Sequence, residues 1–296
     1  MQSEFESWVV VGESREQRAC AELALVLEAR GIASLQEHDG GHWLLRVRMQ
    51  DAEHAARELK SYRRENVDAL RPLPPPETLG SGWFGVASFI AVLLIIAACV
   101  QRLAFGIDWL AVGIMDAERM LSGQWWRAMT ALTLHVEPDH LLANLTFGAL
   151  FTYFVARYLG GGVGWMAILT TGAVGNVLNG WLSGADHRSI GASTAVFGAL
   201  GLLTAYTWRR GLPRGSSFRS RVAPLIAGLA LLAYTGTAGE NTDLGAHLMG
   251  FLTGLALGLV AARVVISSAA RVQLTAGLIA WASVAGAWAW GIAATY

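Results

Sequence analysis

Two residues far apart in the chain have the chemistry of a nucleophile and a base. Ser193 lies in Gly191-Ala192-Ser193-Thr194-Ala195-Val196-Phe197-Gly198, and His247 lies in Gly245-Ala246-His247-Leu248-Met249-Gly250. Each stands near the start of a strongly apolar segment in a setting of small residues. A serine hydroxyl is a poor nucleophile until a neighbouring base takes its proton, and a neutral imidazole does so near neutral pH. On this reading Ser193 attacks a carbonyl, and His247 accepts the proton and returns it to the leaving amine. Two helices must approach closely for this to happen. Gly250, Gly254 and Gly258 repeat at intervals of four, so they share a face near that of His247 and let it abut another backbone. Asp243, one turn before His247, either orients the imidazole or caps its helix.

These residues need a membrane body to hold them. Only 15% of the chain is charged and 54% is apolar, with 34 glycines and 12 tryptophans, whereas a soluble domain carries about 25% charged residues. Apolar runs near the twenty residues or so that cross a bilayer fall at 83–104, 139–158, 163–183, 191–208, 222–238, 244–265 and 272–294, so seven spans are expected. Arg209, Arg210, Arg214, Arg219 and Arg221 crowd the connection after the fourth, Arg157 follows the second, and Arg263 and Arg271 follow the sixth. The positive-inside rule makes those connections cytoplasmic, with the N-terminal head inside, the C-terminus outside, and Ser193 and His247 near the external ends of their spans.

The head is more polar. Trp8–Val11 reads as a strand, 15–30 as a helix stopped at Gly31, 33–37 and 42–47 as strands around Asp39-Gly40-Gly41, and 51–64 as a second helix. The expected organisation is a small α+β domain at 1–70, a Pro-rich linker at 71–81 containing Leu73-Pro74-Pro75-Pro76, and a membrane domain at 82–296. His38, His42 and His54 lack the spacing of a structural metal site, so no metal and no cofactor is expected. Cys20 and Cys99 suggest no disulfide framework. Zero formal net charge gives no reason to expect a nucleic-acid partner. The acidic start shows no cleavable signal peptide.

Residues 106–138 are too polar to cross and too apolar to float free, which fits an interfacial hairpin anchored by Trp126 and Arg127. His140 and Asn144 follow, four apart and therefore on one helix face. Polar groups at such depth are costly and usually functional. His135 is a further polar contact or an interfacial residue. His187, beside Asp186 and Arg188, reads as solvated.

The Trp-Arg pair, the His140-x-x-x-Asn144 face, the Gly191-x-Ser193 element and the Ala246-His247-x-x-Gly250-x-x-x-Gly254 element together resemble the rhomboid intramembrane serine proteases. The resemblance covers the first six expected spans. It implies an all-α polytopic bundle with a rhomboid-like six-helix core, here extended by a C-terminal seventh span and preceded by the α+β head. It also implies catalysis by Ser193 and His247, with His140, Asn144 and the Ser193 backbone N–H stabilising the oxyanion. Phe197 either stacks on His247 as the family's aromatic or packs in the core. Thr194 departs from the family's usual glycine, and its β-branch is expected to narrow the oxyanion region or slow turnover.

The partners so implied are the lipid bilayer and single-span membrane proteins, cut in or beside helices weakened by helix-breaking residues, with a small side chain at the cleaved position and entry near the fifth span. With 21 arginines against Lys60 alone, a GC-rich bacterial source and a plasma-membrane location are expected. Rival chemistries lack their residues. There is no His-Glu-x-x-His, no pair of intramembrane aspartates, and no repeated broken helices of a transporter.

Overall fold

The computed structural model describes residues 7–65, 78–210 and 243–296, together with 223, 226–228, 230 and 233. Leu73 to Pro76 of the linker, Arg214, Arg219 and Arg221, and most of the expected fifth span at 222–238 lie outside the described residues. The chain divides into two compact units, Met1–Pro74 and Pro75–Tyr296.

In the first unit the elements run β1 (Trp8–Ser14), α1 (Gln17–Glu28), β2 (Ser34–Asp39), β3 (His42–Arg48) and α2 (Ala52–Glu65). The strands form one antiparallel sheet in the order β1-β3-β2. Alternation places Leu45 and Val47 of β3 on the face that packs with Cys20, Leu27, Ala55 and Leu59 of the helices. Gly31 takes φ +74° just past α1, and Ile32 N–H closes back on the Leu27 carbonyl at 2.9 Å, a glycine-terminated helix end. His38 packs on Trp43 and His54 lies 3.7 Å from Glu58.

The second unit is helical. Its long helices are α3 (Trp83–Gln101), α7 (Pro138–Leu159), α8 (Gly161–Ser183), α9 (Ser193–Arg210), α10 (Leu244–Ala261) and α11 (Ala270–Thr295). Short helices α4 (Trp109–Gly113), α5 (Ala117–Leu121) and α6 (Arg127–Thr130) fill the connection between α3 and α7. Among the described residues, four helices, α3, α8, α10 and α11, are long and apolar enough to cross a membrane. Helices α7 and α9 have 22 and 18 residues but carry Asp139, His140, Asn144 and Arg157 on one and Arg209 and Arg210 on the other.

Two C-terminal ends fall short of the sequence expectation. Helix α3 stops at Gln101 rather than 104, because Leu103 and Phe105 turn the chain through left-handed conformations. Helix α10 stops at Ala261 rather than 265, because the chain must turn into α11. That turn is held by Gln273, whose Nε2 donates to the Ser267 and Leu159 carbonyls, while its Oε1 accepts from Gly162 and Val163 N–H. One side chain thus satisfies the exposed backbone groups at the α7–α8 junction and binds the start of α11 to it. At the other end of α11, Trp288 donates to Thr133 Oγ1 at 3.2 Å and packs on Trp109.

The α4–α6 connection is held by polar pairing inside the protein. Arg127, 2% exposed, donates to the Ala111 and Ile114 carbonyls and to Gln124 Oε1. Trp126 donates to the Val112 carbonyl. Met115–Asp116 forms a two-residue antiparallel pair with Arg188–Ser189, which ties this connection to the segment entering α9.

Candidate active site

Helices α9 and α10 meet backbone to backbone. A Cβ on Gly250 would lie 2.2 Å from the Thr194 carbonyl oxygen, one on Gly254 2.1 Å from that of Gly198, and one on Gly258 2.5 Å from that of Leu202. Gly201 of α9 answers from the other side, where a Cβ would lie 2.2 Å from the Phe251 carbonyl oxygen. Any side chain at these positions would push the two helices apart. Helix α8 closes the third side, with Gly175 against Thr194 and Gly250, and with Thr253 of α10 donating to the Thr171 carbonyl at 2.9 Å.

This contact brings the first turn of α9 beside His247. The imidazole is buried and lies on the Phe197 ring, centroids 4.3 Å apart and planes tilted 35°. Phe197 is one turn after Ser193, so both project from the same side of α9. Ser193 is half-buried at the helix start. Asp243 caps α10, its Oδ1 accepting from Ala246 N–H at 2.9 Å.

His140 and Asn144 stand on the other flank of the serine segment. Gly191 has φ +120°, and a Cβ there would meet His140 Cε1 at 2.6 Å, His140 Nε2 at 2.8 Å and Asn144 Nδ2 at 3.8 Å. Only glycine lets the strand-like approach to Ser193 run this close to both donors. Asn144 Nδ2 also donates to the His140 carbonyl at 3.1 Å, which fixes the amide on its helix.

The structure also places three residues whose roles the sequence left open or put elsewhere. His135 is buried, and its Nε2 accepts from Ala192 N–H at 3.3 Å, directly before Ser193. Its ring packs edge-on against His140 with centroids 5.0 Å apart. It lies in the connection before α7, where burial first and the neighbouring His140 second push its pKa down to about 4. His187, expected in solvent, is half-buried and reaches Asp243, with Nε2 3.0 Å from Oδ2. Thr194 does not crowd the Gly191 side. Its methyl sits where Gly175 and Gly250 leave room between α8 and α10, so the β-branch fills a helix–helix gap.

The assembled side chains are a hydroxyl, an imidazole held on an aromatic ring, and two polar donors across a glycine. That set suits acyl transfer, in which a hydroxyl attacks and nearby donors receive the developing negative charge. Among the described residues, no group of three or more histidine, cysteine or carboxylate side chains has metal-binding geometry.

Comparison with known proteins gives the same direction. Residues 122–264 match the family model described as Rhomboid domain. The chain is similar to "Rhomboid-like protease 3" of Toxoplasma gondii, 29% identical over 178 residues, covering 59% of this chain and 66% of that protein. It is also similar to "Rhomboid-like protein 11, chloroplastic" of Arabidopsis thaliana, 32% identical over 45% of this chain and 51% of the relative. A third relative is "Rhomboid protease GluP" of Bacillus subtilis (strain 168), 30% identical over 50% of this chain and 29% of the relative. The chain thus spans two thirds or less of the length of each.

Proposed function

Because this chain belongs to the rhomboid family, we propose that it is a membrane-embedded serine endopeptidase that uses Ser193 and His247 to cut peptide bonds in or beside transmembrane helices of single-span proteins. The observation that carries this reading is the approach of α9 to α10, which brings the turn bearing Ser193 and Phe197 onto the His247 ring. His247 Nε2 or Nδ1 takes the Ser193 proton as Oγ bonds to the scissile carbonyl carbon. The imidazolium then gives that proton to the leaving amine, and the acyl-enzyme is released by a water activated in the same way. His140, Asn144 and the Ser193 N–H serve the oxyanion, where one donor is typically worth about 3 to 4 kcal/mol. Phe197 holds the imidazole rotamer, and Gly250 and Gly254 set the helix spacing.

A helix presents no accessible carbonyl, since its backbone groups are internally bonded. Substrates therefore carry helix-weakening residues at the cut, and small side chains there fit the family's habit. The remaining organisation follows the sequence. An α+β cytoplasmic domain at 1–70 and a linker at 71–81 precede a seven-span body at 82–296 in the plasma membrane, with the C-terminus external.

The test is labelling by a serine-directed fluorophosphonate together with cleavage of a panel of single-span substrates in proteoliposomes. Wild type is expected to label and cleave, and Ser193→Ala and His247→Ala to do neither. Equal labelling of wild type and Ser193→Ala would remove the assignment of the nucleophile. Rebuilding a cleaved segment as uninterrupted leucine is expected to abolish its cleavage.

A further inference from the structure

Four polar side chains from three parts of the second unit converge. Asn179 and Ser183 come from the last turn of α8, His187 from the connection to α9, and Asp243 from the cap of α10. Ser183 Oγ donates to Asn179 Oδ1 at 3.1 Å. Asn179 Nδ2 lies 3.0 Å from Asp243 Oδ2 and 2.9 Å from His187 Nε2, and that nitrogen is 3.0 Å from the same Oδ2. The His187 and Asp243 side chains are only 18% and 21% exposed. Gly245 makes the contact possible, since a Cβ there would stand 2.3 Å from Asn179 Oδ1. The backbone joins in as well, with the His187 carbonyl accepting from Ala117 N–H at 3.0 Å.

The triangle depends on a proton. An Nε2 lacking hydrogen accepts from the amide but sets its lone pair against the carboxylate. An Nε2–H donates to Oδ2, and the amide donates to the same carboxylate beside it. A doubly protonated ring adds opposite charge at this contact. Among the described residues the other charges nearby are already engaged or face outward. Arg188 and Arg119 pair with Asp116 at 3.3 and 3.6 Å, and Asp186 is exposed.

Asp243 is the point where this network meets the chemistry. Its side chain caps α10 through Ala246 N–H, and its carbonyl accepts from His247 N–H at 3.1 Å. We propose that His187 is a positioning residue for the His247 base: it clasps Asp243 and fixes the first turn of α10 against the end of α8. The inference rests on the Ser193–His247 reading above.

The experiment uses the full chain in detergent and compares wild type, His187→Leu, His187→Gln and Ser193→Ala. Fluorophosphonate labelling rate, kcat and KM on one single-span substrate, and thermal unfolding are each followed from about pH 5 to 8. Misplacing a reacting group by about 1 Å can cost on the order of 100-fold, so a loosened base in His187→Leu is expected to lower kcat and labelling rate about tenfold. KM is expected to stay within about twofold, since ground-state binding is untouched. His187→Gln keeps a neutral donor and is expected to recover most of kcat. Wild-type kcat in His187→Leu, or a loss in His187→Leu that His187→Gln does not rescue, overturns the clasp. Labelling of wild type no greater than that of Ser193→Ala defeats the protease reading itself, and the clasp with it.

Discussion

Phe197 supports His247 from one turn beyond Ser193, its ring centroid 4.3 Å from that of the imidazole. Stacking of this kind contributes about 0.5–1.5 kcal/mol beyond area burial, and in the proposed mechanism it restricts the imidazole rotamer. Phe197→Ala is expected to lower kcat about tenfold while Phe197→Tyr retains most activity, at a scale of about 1.4 kcal/mol per tenfold. Equal kcat in Phe197→Ala and wild type would separate the ring from the chemistry.

The glycine seam predicts a sharp positional contrast. Gly254→Ala places a methyl 2.1 Å from the Gly198 carbonyl oxygen, whereas Gly286 on α11 has open space around it. Overpacking of this sort typically costs about 1–3 kcal/mol. Thermal unfolding in detergent is expected to show that loss for Gly254→Ala, accompanied by loss of cleavage, and none for Gly286→Ala.

Arg127 tests whether the α4–α6 connection is a rigid part of the body. Its fork bonds two carbonyls and an amide oxygen in a buried setting, and hydrogen bonds to charged groups are worth about 1.5–3 kcal/mol each. Lysine has no such fork. Arg127→Lys is expected to lower stability by about 2 kcal/mol or more, read as an earlier unfolding transition at equal lipid content.

The His135 imidazole gives stability a pH dependence of known sign. Its folded pKa is depressed to about 4 by burial and by the adjacent His140, while an unfolded histidine titrates near 6.5. Between these values the unfolded chain binds the proton and the folded one does not, so stability is full above about pH 6.5 and falls as pH drops toward 4. His135→Asn is expected to flatten that part of the stability profile, measured by unfolding temperature at each pH. Parallel profiles for the two proteins would contradict it.

Much of the site was legible because it is written in local pattern. Glycines four apart declare a close helix face, His140 and Asn144 four apart declare a shared one, and Gly-x-Ser and Ala-His each sit at the head of an apolar run. Asp243 announced two roles that spacing alone could not separate, and the Ala246 N–H contact supplies the cap. Thr194 looked like an intrusion on the oxyanion side, since a sequence does not say which neighbour receives a methyl. The gap beside Gly175 and Gly250 does.

By itself the sequence determined the helical periodicity, the small-residue seam, the burial demanded by long apolar runs and the residue types able to do acyl-transfer chemistry, because each of these depends on neighbours within a turn or two. Only the tertiary structure decided that His187 leaves solvent for Asp243, that Met115–Asp116 pairs with Arg188–Ser189, and that Gln273 plugs the junction of α7 and α8. Those pairings join short polar segments of no periodicity across 56 to 114 residues of chain, and their partners are selected by buried donors and acceptors that must find one another once the helices have packed.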